Sequence, residues 1–273
     1  MDIYSPGKEV RMDIELLIST MNADKSLLDK INIHSNVVVV NQCGYDGVEE
    51  STYNGHHVKW INSSTKGLSR SRNIALKNAT ADIVVLTDDD VEYVAGYPDI
   101  IEKAFLSHPE MDIISFQVEG INGKFKDYSE KENSLNFLGS MKVSSVEIAI
   151  KRKKIEKAKI QFNEAFGSGA KYRMGEENIF LFNCLKKKLK LYYLPQIIAN
   201  LWVGDSTWFQ GFNKKYFIDR GATYYEMFGC LAPLMILQFI IRKRKLIQDI
   251  SLSQALKCAF EGMNDWRKLK NTI

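Results

Sequence analysis

Cysteine is scarce. The four present, Cys43, Cys184, Cys230 and Cys258, lie far apart and form no Cys-x-x-Cys pair. That pattern gives neither a zinc site nor a disulfide scaffold and suits a reducing cytosol. Met1 to Arg11 lacks the apolar core of a signal peptide, so export is not expected. No uninterrupted run reaches the roughly 20 apolar residues that a membrane-spanning helix needs. Neither G-x-G-x-x-G nor G-x-x-x-x-G-K occurs, which weakens dehydrogenase and P-loop readings. No nucleic-acid-binding motif is present, and no nucleic-acid partner is expected.

What is present is an ordinary globular balance, with 45% hydrophobic and 26% charged residues in a chain of 273. That length suits one large α/β domain with appendages, or two small domains. The net charge of +4 is unevenly placed. Residues 206–273 hold 11 Lys+Arg against 5 Asp+Glu, so the basic excess belongs to the C-terminal quarter.

The chain is organised around residues 66–90. Lys66-Gly67-Leu68-Ser69-Arg70-Ser71-Arg72-Asn73 reads as a loop opening a helix, with Ser69 or Ser71 as N-cap. Ile83 to Leu86 reads as a short buried strand. Asp88-Asp89-Asp90 follows at its C-terminal end, where open α/β sheets bind ligands. The triplet is either a solvated turn or a divalent-cation site, since hard cations take carboxylate oxygens.

Upstream, Ile14 to Ile18, Asp24 to Ile31 and Val37 to Val40 read as strand, helix and buried parallel strand, a βαβ unit. The strands end at Ser19-Thr20-Met21-Asn22 and Asn41-Gln42-Cys43-Gly44. Val58 to Ile61 is a further short strand, with His56-His57 a solvated loop pair beside it. Downstream, Pro98 to Leu106 reads as a helix and Met111 to Val118 as a strand. Residues 119–140 read as a long surface loop, a common form for a functional lid. Val143 to Ile150 reads as a strand, followed by a solvated basic turn at Lys151-Arg152-Lys153-Lys154.

A second block spans residues 162–183. Gly167 and Gly169 around Ser168 suggest a tight loop that admits a ligand to backbone. Gly175-Glu176-Glu177 then opens a helix whose apolar face is Ile179, Phe180, Phe182 and Leu185. Acidic residues also favour a helix's first turn for structural reasons alone. Leu191 to Leu194 and Ile197 to Trp202 read as apolar strands around Pro195.

Gly-Leu-Ser-x-Ser-Arg-Asn-x-Ala-Leu followed by Ala-Asp-Ile-Val-Val-Leu-Thr-Asp-Asp-Asp resembles the donor-site block of family 2 glycosyltransferases of GT-A fold. The resemblance implies an α/β fold, a Rossmann-like, mostly parallel sheet flanked by helices. It implies inverting sugar transfer from a nucleotide sugar, a UDP-sugar foremost, with Mn²⁺ or Mg²⁺ on the diphosphate. The ends of the first two strands are then expected to cradle the nucleoside through Thr20, Asn22 and Asn41. Family members often carry Asp-Asp-Gly-Ser after the second strand, where this chain has Asn-Gln-Cys-Gly. Arg72 falls where the family places an arginine near the nucleotide, and Ser69 and Ser71 are expected to hydrogen-bond near the phosphates. Two registers are open, Thr87 with Asp89 or Asp88 with Asp90. Asp89 or Asp90 is the expected metal ligand and Asp88 lies nearer the ribose. Gly-Glu-Glu resembles the family's Gly-Glu-Asp, which supplies the catalytic base. Glu177 is the expected base and Glu176 orients the acceptor. Relatives often carry a histidine before a Ser-Thr pair, and here Asp205 or a water takes that place ahead of Ser206-Thr207.

The C-terminal part differs in kind. Met227 to Ile241 is apolar apart from Gln238, contains Pro233, and is followed by Arg242-Lys243-Arg244-Lys245. Either a buried helix hairpin or an interfacial helix on anionic lipid fits. Ser251 to Trp266 reads as a second amphipathic helix capped by Ser251. The expected organisation is a GT-A-like domain over residues 10–205 and a helical, basic extension over 206–273. The expected protein is cytoplasmic and peripheral on the inner face of the membrane. It would serve a glycan or lipid-linked acceptor in surface-polysaccharide or glycolipid assembly. A nucleotidyltransferase and a non-catalytic membrane adaptor are the alternatives. The stretch after the first strand, Ser19 to Asp24, lacks the glycines of the former.

Overall fold

The computed structural model describes residues 11–203, 209 and 211–272. In chain order the first half comprises β1 (Ile14–Met21), α1 (Leu27–Ile31), β2 (Asn36–Gln42), β3 (Gly47–Tyr53), β4 (His56–Ser63), α2 (Leu68–Asn78), β5 (Ile83–Asp88), β6 (Val91–Tyr93) and α3 (Tyr97–Ser107). The second half comprises β7 (Ile113–Gly120), β8 (Asn133–Leu135), α4 (Phe137–Ser140), β9 (Ile148–Lys151), α5 (Arg152–Ala158), α6 (Glu176–Lys186), β10 (Leu191–Leu201), α7 (Lys214–Phe228), α8 (Ala232–Lys243) and α9 (Leu252–Lys270).

One sheet carries the fold, in the order β3-β4-β2-β1-β5-β9-β7-β10-β6, with β8 also on β10. Strands β4, β2, β1 and β5 run parallel, as do β7 and β10, and β9 lies antiparallel between β5 and β7. From β1 the chain steps outward to β2 and then returns to β5 on the other side of β1. The crevice at the C-terminal ends of β1 and β5 is therefore a topological switch point, the usual place for a ligand in an open α/β sheet.

Alternation along the strands feeds both faces. Leu16 and Ile18 of β1 join Val37 and Val39 of β2 under α1 and α3. Leu17, Val38 and Val40 point the other way, against Ala75 of α2 and Phe180, Leu181 and Cys184 of α6. Covering both faces explains why β1, β2 and β5 read as near-continuous apolar runs.

Several elements differ from the sequence reading. His56 and His57 lie in β4, not in a loop, and pair with Tyr53 and Thr52 of β3 across Asn54-Gly55. Both turn residues have positive φ, the two-residue hairpin geometry that Asn-Gly favours. Residues 119–140 are not loop throughout: β7 extends to Gly120, and β8 and α4 follow. The stretch from Val143 is strand only from Ile148, after a 3₁₀ turn at Ser145–Glu147. Arg152 opens α5 where a basic turn was expected. The two expected strands around Pro195 are one, β10, with its register broken between Tyr193 and Ile197. A bulge is where a strand can hold proline.

Candidate active site

The switch point brings the first block together. Asp88 ends β5 opposite Ser19 of β1, and Thr20 is level with Asn41 of β2. Thr20 Oγ1 donates to Asp89 Oδ2 at 2.6 Å. The Lys30 ammonium on α1 donates to the Asp89 carbonyl. Thr87, which one register sets at a ligand position, is buried, and its hydroxyl meets that of Tyr93. That leaves Asp88, Asp89 and Asp90 as the acidic groups at the strand end.

At the nucleoside end, Asn41 is buried and its amide is committed. It accepts from Ala23 N at 3.0 Å and donates to Ala23 O at 3.2 Å and Asn62 Oδ1 at 3.0 Å. Its role in this geometry is to fix the 22–24 turn. Asn22 is exposed there in a left-handed conformation, φ 50°. Gln42 Oε1 accepts from Gly67 N at 2.7 Å, tying the second strand to the start of α2. Sequence reasoning missed Tyr45. Its ring is exposed beside the ends of β2 and β4, and its hydroxyl accepts from Asn62 Nδ2 at 3.1 Å. An aromatic next to a strand-ending glycine was the available signal.

The polar start of α2 faces the second block rather than solvent. Neither Ser69 nor Ser71 is the N-cap, and both hydroxyls are engaged within the protein. Both are buried; Ser69 donates to Phe166 O at 2.7 Å and Ser71 to Ser19 Oγ at 3.0 Å. Gly67 holds the cap position instead, at φ 124°. Leu68 N donates to Ser168 O at 2.9 Å. A Cβ on Gly169 would lie 3.3 Å from the Gly67 Cα, so the two loops meet backbone to backbone. Asn73 exchanges hydrogen bonds with the Phe162 backbone, at 3.0 and 2.8 Å. Arg70 pairs with Glu164 at 2.9 Å.

Arg72 is the centre of this contact. Its side chain is 1% exposed. One terminal nitrogen donates to Glu176 Oε1 at 2.9 Å, and the other to Asp88 at 3.0 and 3.2 Å. Its Nε is buried without a partner. The guanidinium sits 5.6 Å from the Phe162 ring centre. Arg72 therefore joins the aspartate triplet to the Gly-Glu-Glu turn, with its charge already answered by two carboxylates. Ser145 adds a contact at Asp88 Oδ2, 3.4 Å, from the 3₁₀ turn that stands where a strand was expected.

Glu176 and Glu177 open α6, after Gly175 at φ 83°. Glu176 is buried and Glu177 intermediate. Burial, and then the charge of Glu176, push the Glu177 carboxyl up to about 8. The strap after β7 adds Lys126, which pairs with buried Glu147 and donates to Lys142 O at 2.7 Å. Burial lowers the Lys126 ammonium, while the charges of Glu147 and Glu177 act the other way.

The C-terminal helices hold this turn from behind. A Cβ on Gly175 would lie 2.4 Å from Thr223 Cγ2 of α7. Trp266 of α9 packs edge-on against Phe166 and Tyr172, ring centres 4.9 and 5.8 Å away. Tyr172 donates to Asp265 at 2.8 Å. Asp205, expected to serve a metal, lies outside the described residues.

The donor set fits a hard cation in a shared form. Asp89 has one carboxylate oxygen on Thr20. Asp90 is exposed, yet loss of water around its carboxyl, and then the charge of Asp88, push it up to about 6. Crowded like charges of this kind are relieved by a cation. Among the described residues no three His, Cys, Asp or Glu side chains form a cluster able to hold a metal alone. One or two carboxylates completed by substrate phosphate oxygens is the usual magnesium arrangement.

Comparison with known structures and families follows the same lines. The S. aureus TarS 1-349 structure in complex with UDP-GlcNAc superposes with TM-score 0.65 at 16% identity, over 93% of this chain and 80% of that one. The same protein in complex with UDP gives TM-score 0.61 at 16% identity, over 92% and 81%. At such identity the likeness speaks for the fold. Among curated protein sequences none matches. The family model described as Glycosyl transferase family 2 matches residues 22–176, from the turn after β1 to the first residue of α6. That match covers more than half of the sequence and contains Arg72, Asp88, Asp89, Asp90 and Glu176, and the chain belongs to glycosyl transferase family 2.

Proposed function

We propose that this chain is an inverting glycosyltransferase that moves a sugar from a UDP-sugar to an acceptor hydroxyl. Its setting is surface-polysaccharide or glycolipid assembly on the inner face of the membrane. The observation that carries the reading is the Arg72 bridge, which sets a carboxylate cluster at the sheet's switch point beside a turn bearing a high-pKa glutamate. The UDP and UDP-GlcNAc complexes of TarS support a UDP-sugar as donor.

In this reading the acceptor oxygen forms a bond to the anomeric carbon while the bond from that carbon to the diphosphate oxygen breaks. The diphosphate leaves with the electron pair. Glu177 takes the acceptor proton as attack develops. Glu176, held by Arg72, orients the acceptor. Thr20, Asn22 and the turn fixed by Asn41 receive the nucleoside, with Asp88 toward the ribose. Asp89 and Asp90 would hold Mn²⁺ or Mg²⁺, which would supply positive charge beside the leaving diphosphate. Incubation with UDP-GlcNAc and related nucleotide sugars tests the reading. Release of UDP is expected; release of pyrophosphate on incubation with UTP and a sugar 1-phosphate, without UDP release from any nucleotide sugar, would assign a nucleotidyltransferase instead.

A further inference from the structure

The C-terminal helices leave one face uncovered. The inward side of α8, Ala232, Ile236, Phe239 and Ile240, is buried in a cluster with Phe217 and Tyr224 of α7 and Ala255 and Ala259 of α9. Helical residues are about 100° apart, so Leu234, Leu237 and Ile241 fall on the opposite side. These three are 64%, 45% and 52% exposed, and Leu231 just before the helix and Leu246 just after it are exposed at 59% and 56%. A helix that is apolar on both sides is ordinarily buried on both. Arg242, Lys243, Arg244 and Lys245 follow at once, and among the described residues none of them pairs with a carboxylate.

The same packing removes the other candidates for lipid contact. The apolar side of α9, Ala255, Cys258, Ala259, Gly262, Met263 and Trp266, is buried. Its backbone meets α7 directly: a Cβ on Gly221 would lie 1.9 Å from Ala259 O, and one on Gly262 1.9 Å from Ile218 O. The helical run Lys214–Lys243 is long and apolar enough to cross a bilayer by length and composition. Its first half, however, carries buried Asp219, paired with Lys215, and holds Gly175 through Thr223. Spanning would break those contacts, so the geometry favours a helix lying on the surface.

We infer that the outward face of α8 is a docking surface for an anionic membrane. Leu231, Leu234, Leu237 and Ile241 enter the acyl boundary and Arg242 to Lys245 meet lipid phosphates. The inference rests on the membrane setting proposed above and narrows it to one helix. Charge selects lipid over a second copy of the chain: no Asp or Glu occurs between Met227 and Gln248, so another copy of this face brings no countercharge.

The test uses the full chain and sedimentation with vesicles of phosphatidylcholine and phosphatidylglycerol, or of phosphatidylcholine alone. Binding to the anionic vesicles only is expected. Replacing Arg242, Lys243, Arg244 and Lys245 by Gln should weaken it about fivefold per cation. The double variant Leu234→Glu/Ile241→Glu should abolish it, with the melting temperature and UDP release in solution unchanged. Equal partitioning of wild type and both variants overturns the proposal. So does a wild-type dimer in gel filtration that the double variant dissolves, which would assign the face to a second copy. Vesicle binding without UDP release from any nucleotide sugar would overturn the transferase reading and leave the docking surface standing.

Discussion

At the scale of single residues, the proposed reaction turns on two groups. Glu177 must be ionised to accept a proton, and its carboxyl is pushed up to about 8 by burial and by Glu176. The sign follows directly: below that value the base is protonated, so kcat/KM should fall as pH drops through about 8. Glu177→Gln should lose about 10²–10⁴ in turnover while the donor-induced shift in melting temperature stays. If Glu176→Gln is the inactive variant and Glu177→Gln is not, the roles of the two are exchanged. Arg72 lowers the Glu177 carboxyl against the two upward influences. Removing its charge should therefore move the pH limb still higher. Arg72→Gln also leaves Asp88 and Glu176 unpaired, at a cost of about 3–5 kcal/mol in unfolding free energy. Arg72→Lys should keep part of the pH position yet lose the fixed two-sided geometry. A pH limb that stays put in Arg72→Gln would exclude the coupling. The importance of Arg72 was legible in the sequence, but its use was not. A serine- and arginine-rich helix start looks like a ligand site, and its partner Glu176 lies 104 residues away.

At the scale of elements, buried strands were the most legible. β1, β2 and β5 are covered on both faces and so appear as apolar runs. β3 was missed because it is an exposed edge strand, Gly-Val-Glu-Glu-Ser-Thr-Tyr, with no apolar alternation to mark it. The Asn54-Gly55 turn was its one signal. α6 was legible as an element, but its anchoring was not. Gly175 combines φ 83° with the 2.4 Å approach to Thr223, so α7 sets where α6 begins. Gly175→Ala should destabilise the fold by about 1–3 kcal/mol and lower turnover more than donor binding. Adding Thr223→Ser removes the methyl in the way and should return part of the stability, read as a coupling energy in a double-mutant cycle. Strictly additive melting data would place the strain in the backbone alone.

At the scale of the whole molecule, the donor side and the acceptor side are separable by experiment. Donor binding should need Mn²⁺ or Mg²⁺, because the triplet's crowded carboxylates otherwise repel the diphosphate. Thermal shift with UDP-GlcNAc should vanish in EDTA and in Asp89→Asn, with the ligand-free melting temperature nearly unchanged. Undiminished turnover in EDTA would rule out the metal assignment. The C-terminal helices show the limit of reading by composition. Their basic, apolar character was plain, whereas the division of labour was not: α9 is buried and α8 keeps an open face. Phe166, Tyr172, Ile179 and Phe182 of the second block share one cluster with Ala222, Met227 and Trp266.

That shared cluster makes α7 a strut of fixed length. One point on it, Thr223, touches the turn that bears Glu177, and α8 folds back along the same helix, its Phe239 ring 6.3 and 6.0 Å from those of Tyr216 and Tyr224. With α8 on lipid as proposed, this packed hairpin would work as a ruler, holding the transfer site at a set height above the bilayer. Acceptor hydroxyls at that height would be within reach, and those nearer or farther would not. Chain length, as much as sugar identity, would then decide which acceptors are extended.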